Sequence, residues 1–112
     1  MGLEWNDTPD MLDEDAKIRR CNLIEEEFLE VLEAFMSSDM LETIAELADL
    51  IYVVLGTAVE LGVDIEPFFD EKHRSNMTKI GGYKREDGKW IKPDTYEPAN
   101  LERVWTYTYG RR

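Results

Sequence analysis

The sequence predicts an all-α fold, a helical bundle with a short C-terminal hairpin or irregular extension. Three observations carry this. Two long stretches combine helical apolar periodicity with good capping residues, a third follows Asp64, and turn signals suited to strands appear only after Gly81-Gly82. The 112 residues read as one domain: a lead-in over 1–12, a helical core over 13–80 and an extension over 81–112. With 43% hydrophobic and 34% charged residues, the composition suits an ordered globular chain rather than a disordered one.

Trp5 to Leu12 reads as an irregular lead-in with a turn at Thr8-Pro9. Asp13 can cap the first helix, whose first turn holds Glu14 and Asp15 in favourable alignment with the dipole. That helix is expected to run to about Met36, where Ser37-Ser38-Asp39 breaks it. Asp39 can cap the second helix, with Glu42 in the position of a capping-box partner, and Gly62 supplies the stop. Asp64 is expected to cap a third helix that tolerates Pro67 in its first turn and ends before Gly81-Gly82. Asp87-Gly88 suits a tight hairpin turn between Tyr83-Lys84-Arg85 and Lys89-Trp90-Ile91-Lys92. Pro93 and Pro98 keep the next segment extended, and Asn100 to Trp105 can form a final turn or two.

The net charge of -12 is unevenly spread. Residues 1–71 hold 20 Asp/Glu against 3 Lys/Arg, whereas residues 72–112 hold 5 against 10. An acidic front half repels nucleic acid and anionic membranes, so neither is an expected partner. The basic rear half can hold a small anion. Cys21 has no second cysteine to pair with and is expected to lie buried in the first helix, consistent with a reducing compartment. Met1 to Asp15 has no apolar core of a signal peptide, and the apolar run Leu50 to Val59 is far shorter than the ~20 residues of a membrane helix. The expected location is the cytoplasm.

Two acidic clusters stand on consecutive helices. Residues three and four apart share a helical face, so Glu26, Glu27 and Glu30 converge on the first helix, and Glu46 and Asp49 on the second. An antiparallel pairing of the helices would gather five carboxylates, which repel unless a cation sits among them. The plainer alternative is a solvated face. At about 100° per residue, Cys21, Ile24, Phe28, Val31, Leu32, Phe35 and Met36 fill one arc of the first helix, and the glutamates fall opposite. The second helix is apolar over roughly 220° of its circumference and must be covered on two sides, which predicts self-association. Glu42, Glu46, Asp49, Val53, Gly56 and Glu60 share its remaining stripe. On the third helix, Lys72, Asn76 and Lys79 fall near one face and could cradle phosphate oxygens.

Leu23-Ile24-Glu25-Glu26-Glu27-Phe28-Leu29-Glu30 followed by Glu46-Leu47-Ala48-Asp49 resembles the EExxE and ExxD pair of the all-α nucleoside triphosphate pyrophosphohydrolases. His73-Arg74-Ser75-Asn76-Met77-Thr78-Lys79 is similar to the third-helix segment of their MazG-like members, and Asp87-Gly88-Lys89 with Lys92-Pro93 to the C-terminal extension of the same group. The resemblance implies that Glu26, Glu27, Glu30, Glu46 and Asp49 hold two or three Mg²⁺, with Mn²⁺ a substitute. It implies that Lys72, Asn76 and Lys79 contact substrate phosphates, and that a (deoxy)nucleoside triphosphate is cleaved to monophosphate and pyrophosphate in a homodimer or homotetramer. Glu27 and Glu30 are the expected catalytic carboxylates. A ferritin-like di-metal centre needs Glu-x-x-His pairs that this single-histidine chain lacks. The rival is a non-catalytic acidic helical module that oligomerises and binds a basic partner. Trp5, Tyr83 and Trp90 are candidates to stack on a nucleobase.

Overall fold

The computed structural model describes residues 8–110, which excludes Trp5. In chain order they form α1 (Glu14–Ser37), α2 (Met40–Leu61), α3 (Glu66–Met77), β1 (Tyr83–Lys84), β2 (Trp90–Ile91) and α4 (Leu101–Tyr109). The fold is all-α with one small hairpin, as the sequence predicts. Its residues cluster into two compact units that divide between Asp64 and Ile65.

In the first unit, Asp13 accepts a hydrogen bond from the Ala16 N–H (2.9 Å) and starts α1. Ser38, at φ 58°, ends it. One residue later Asp39 accepts from the Glu42 N–H (3.1 Å) and starts α2. Gly62 closes α2 at φ 74°, a left-handed position that suits glycine, and Val63 N–H donates to the Ala58 carbonyl in a Schellman arrangement. So short a connection makes α1 and α2 an antiparallel hairpin.

The hairpin closes on the side that carries the acidic residues, not on the bulky apolar arcs. Ala16, Arg20, Val31 and Ala34 of α1 are buried with Ala58 and Glu60 of α2, while Glu27, Glu46, Val53 and Gly56 are half-buried. Phe28, Leu32, Phe35, Met36, Met40, Leu41, Ile44, Leu47, Ile51, Val54 and Leu55 stay exposed on the chain. Cys21, expected in the interior, is exposed too. Two helices share a single seam, and here it runs along small and charged side chains, with Ala16, Ala34 and Gly56 letting the backbones approach. The bulky arcs point away from the seam.

In the second unit, α3 begins at Glu66 after Ile65, which makes no side-chain cap bond, so Asp64 is not its cap. Pro67 sits in the first turn, where its missing N–H costs nothing. The helix ends at Met77, and Lys79 lies in the following turn rather than on the helix. Thr78 causes this: its hydroxyl donates to the Ser75 carbonyl (2.6 Å) and accepts from the Glu97 N–H (2.8 Å), tying the turn to a distant segment. β1 and β2 pair antiparallel, Tyr83 opposite Ile91 and Lys84 opposite Trp90, around Asp87-Gly88 with Gly88 at φ 90°. Asn100 caps α4, which runs to Tyr109 instead of stopping near Trp105. The extra turn is held by tertiary contact: Trp105 and Tyr109 pack on each other (centroids 4.9 Å) and both on Phe68 (6.4 Å).

Glu71 joins α3 to α4. Its buried carboxylate accepts from Arg74 Nε and Nη2 (both 2.8 Å), the Asn100 N–H (2.7 Å) and Arg103 Nη2 (3.3 Å). Those Arg74 bonds, helped by the Asn100 N–H, hold its pKa down at about 2.

Candidate metal centre

Midway along the α1/α2 seam, Glu27, Glu46 and Asp49 each present a carboxylate oxygen, and the three oxygens lie within 4.8 Å of one another. Glu27 comes from α1; Glu46 and Asp49 occupy adjacent turns of α2. The antiparallel hairpin therefore brings Glu27 of the first cluster to Glu46 and Asp49 of the second, three of the five expected carboxylates. Glu27 Oε2 and Glu46 Oε2 are shielded from solvent, and neither has a hydrogen-bond partner.

The electrostatics follow from this crowding. A hydrogen bond with Glu30, then burial, then the charges of Glu30, Asp49 and Glu27 raise the Glu46 pKa to about 7. Burial raises that of Glu27, and the charges of Glu30, Asp49 and Glu26 add to it. Glu30 is thus in contact with both helices' acids, and Glu26 stands exposed at the rim. Among the described residues no lysine or arginine pairs with any of these five carboxylates. Oxygen-only donors, clustered, partly desolvated and lacking a counter-charge, fit a hard divalent cation such as Mg²⁺.

Two turns from this cluster the same seam carries the opposite solution. Glu60 accepts from Arg20 Nε (3.0 Å) and from Arg19 Nη2 (2.7 and 3.0 Å). A Cβ on Gly56 would come within 3.3 Å of the Arg20 guanidinium, so glycine leaves that group room. Sequence reading missed this clamp, although its signal is present: Arg20 precedes Glu27 by seven residues and Gly56 follows Asp49 by seven, two helical turns in each case.

The remaining expected site residues lie in the second unit. Lys72 and Asn76 are exposed on α3, one turn apart, whereas half-buried Lys79 is beyond the helix end, so the three do not form one helical face. Tyr83 and Trp90 are exposed in the hairpin. His73 is exposed, and Ser75 is buried with its hydroxyl donating to the Glu97 carbonyl (2.7 Å), away from any base.

A helical hairpin that gathers carboxylates from both arms into one seam has the architecture of the all-α nucleotide pyrophosphohydrolases. No helix among the described residues is long and apolar enough to cross a membrane. Residues 3–76, more than half of the chain, match the phosphoribosyl-ATP pyrophosphohydrolase family, and the chain belongs to it. No curated protein matches the chain. The family match takes in both acidic clusters and nearly all of α3, and it stops before Lys79, the hairpin and α4.

Proposed function

We propose that this protein is a MazG-like enzyme that hydrolyses a (deoxy)nucleoside triphosphate to the monophosphate and pyrophosphate. The observation that carries the reading is the pair of shielded, partnerless oxygens, Glu27 Oε2 and Glu46 Oε2, set among three further carboxylates. Leaving such atoms unpaired is costly in a folded chain unless a ligand uses them.

Glu26, Glu27, Glu30, Glu46 and Asp49 would hold Mg²⁺, two or three ions in all, or Mn²⁺ in its place. Bound there, the metal supplies Lewis acidity toward phosphate oxygens and offsets the charge that develops on them. Glu27 is the carboxylate proposed to take the proton of the attacking water, and Glu30, bonded to both Glu27 and Glu46, keeps the two arms of the seam in register. Lys72, Asn76 and Lys79 would contact the substrate phosphates. A homodimer or homotetramer would cover the apolar arcs of α1 and α2, whose extent on the isolated chain supports self-association. The proposed setting is the cytoplasm, where a lone thiol such as Cys21 stays reduced.

The test is pyrophosphate release from a panel of ribo- and deoxyribonucleoside triphosphates and phosphoribosyl-ATP, with Mg²⁺ and with EDTA. Turnover that needs the metal and fails in folded Glu46→Gln and Asp49→Asn variants is the expected result. Turnover on phosphoribosyl-ATP alone would overturn the proposed substrate class. No turnover on any compound would favour the acidic oligomerisation module instead.

A further inference from the structure

Three segments of the second unit converge on one aromatic ring. Lys79, in the turn after α3, places its Nζ 5.8 Å from the centroid of Tyr96, and Lys92, just past β2, places its Nζ 4.5 Å from the same centroid. The two ammonium groups are therefore within about 10 Å of each other.

The arrangement is built into the fold. Glu97 is tied to the end of α3 by its N–H to Thr78 Oγ1 (2.8 Å) and by its carbonyl from Ser75 Oγ (2.7 Å). Tyr96 N–H donates to the Pro93 carbonyl (3.0 Å), closing the turn that begins beside Lys92. These bonds set Tyr96 against Lys79 and bring Lys92 onto its face.

The charge balance around the ring is incomplete. Arg74, Arg85 and Arg103 of the same unit all pair with carboxylates, and the nearest acid in sequence, Glu97, turns toward Arg74 (3.6 Å). Among the described residues Lys79 and Lys92 pair with no carboxylate; the Tyr96 ring is what they share. A quadrupole attracts cations only weakly compared with an anion, and two lysines held together in this way are disposed to share one ligand with several negative oxygens.

We infer that Lys79, Lys92 and Tyr96 form a polyphosphate-binding site, taking the di- or triphosphate group of a nucleotide, with Tyr96 as the platform that holds both lysines in place. This rests on the proposed triphosphate substrate and assigns Lys92 and Tyr96, which lie beyond the family match, to its recognition.

Binding of inorganic triphosphate, measured by calorimetry on the full chain in EDTA, tests it without any hydrolysis. Lys92→Met and Lys79→Met should each weaken binding about tenfold or more, and Lys92→Arg should restore most of it. Tyr96→Phe should bind as the parent does, because the ring face remains, whereas Tyr96→Leu should bind weakly. Orthophosphate should bind more weakly than triphosphate. Lys84→Met, at an exposed lysine of β1 that does not lie over the Tyr96 ring, serves as the control and should leave binding unchanged. Parent-like affinity in folded Lys92→Met, or an equal loss in Lys84→Met, would overturn the inference. A chain that binds triphosphate through Lys92 but hydrolyses no nucleotide would refute the pyrophosphohydrolase reading and uphold this one.

Discussion

Glu71 and Glu46 are both carboxylates withdrawn from solvent, and the fold treats them in opposite ways. Glu71 receives four hydrogen bonds from two arginines and a backbone N–H, and its pKa falls to about 2. Glu46 faces Glu30, Asp49 and Glu27, keeps one oxygen without a partner, and its pKa rises to about 7. The chain itself neutralises Glu71 and leaves Glu46 without a counter-charge. The α1/α2 seam repeats the contrast over two helical turns, with Glu60 satisfied by Arg19 and Arg20 and Glu27 left with one shielded oxygen that has no partner.

The largest expected effect breaks the unsatisfied side of the comparison. Glu46→Gln or Asp49→Asn should lower pyrophosphate release about 10²–10³-fold, the usual range for removing one element of electrostatic stabilisation. Thermal stability without metal should hold or rise, because a repelling charge is gone. In the parent, Mg²⁺ at one hundred times its Kd should add about 2.7 kcal/mol of stability, and in either variant that increment should shrink. Calorimetric scans with and without Mg²⁺ check both statements. A variant that loses stability and keeps its metal response would mean that these acids serve packing.

Glu71 should behave in the reverse manner. Its pKa is about 2 in the folded chain against 4.5 for the free side chain, so the stability it contributes is fully present above about pH 4.5 and is lost as pH falls toward 2. Glu71→Gln should lower Tm at neutral pH, since Arg74 and Arg103 lose their charged partner. The difference in Tm between parent and variant should then narrow between pH 4.5 and 2. A difference independent of pH would show that shape, not charge, joins α3 to α4.

What could be read from the sequence, and what could not, follows the range of the interactions. Asp13, Asp39 and Gly62 act within four residues of themselves, so both ends of α1 and α2 were legible to within a residue. Asp87-Gly88 marked the hairpin for the same reason. The end of α3 depends on a bond from Thr78 to Glu97, nineteen residues away, and α4 continues past Trp105 because Tyr109 reaches Phe68. Neither has a local signature. The meeting of Glu27 and Glu30 with Glu46 and Asp49 was legible because helical spacing and one tight connection determine it, whereas Glu26 stays exposed. Cys21 was misplaced because the apolar arc of α1 that carries it stays exposed on the chain instead of turning into the seam.

Arg20→Ala tests the satisfied end of that seam. Removing one partner of a buried ion pair commonly costs ~3–5 kcal/mol, but Arg19 still reaches Glu60, so a loss of about 2–3 kcal/mol is expected. The double variant Arg20→Met/Glu60→Leu should recover much of that loss, since the one charge it leaves unpaired, Arg19, is exposed to water. If the clamp also sets the register of the carboxylates, the double variant should regain stability and still bind Mg²⁺ less tightly than the parent. Equal metal affinity would confine the clamp to packing.

The smallest effect separates the cap of α2 from its cluster. Asp39 holds the Glu42 N–H one turn before Glu46, and Asp39→Ala should cost about 1 kcal/mol through the lost cap alone. Chemical denaturation would show this as a lower midpoint at an unchanged slope. Because Glu46 and Asp49 lie beyond the first turn, in a stretch held by the seam, the Mg²⁺-dependent rise in stability should be the same in variant and parent. A smaller rise in the variant would mean that fraying at Met40 reaches Glu46, and that the cap, remote as it is from the shielded oxygens, helps to hold them in place.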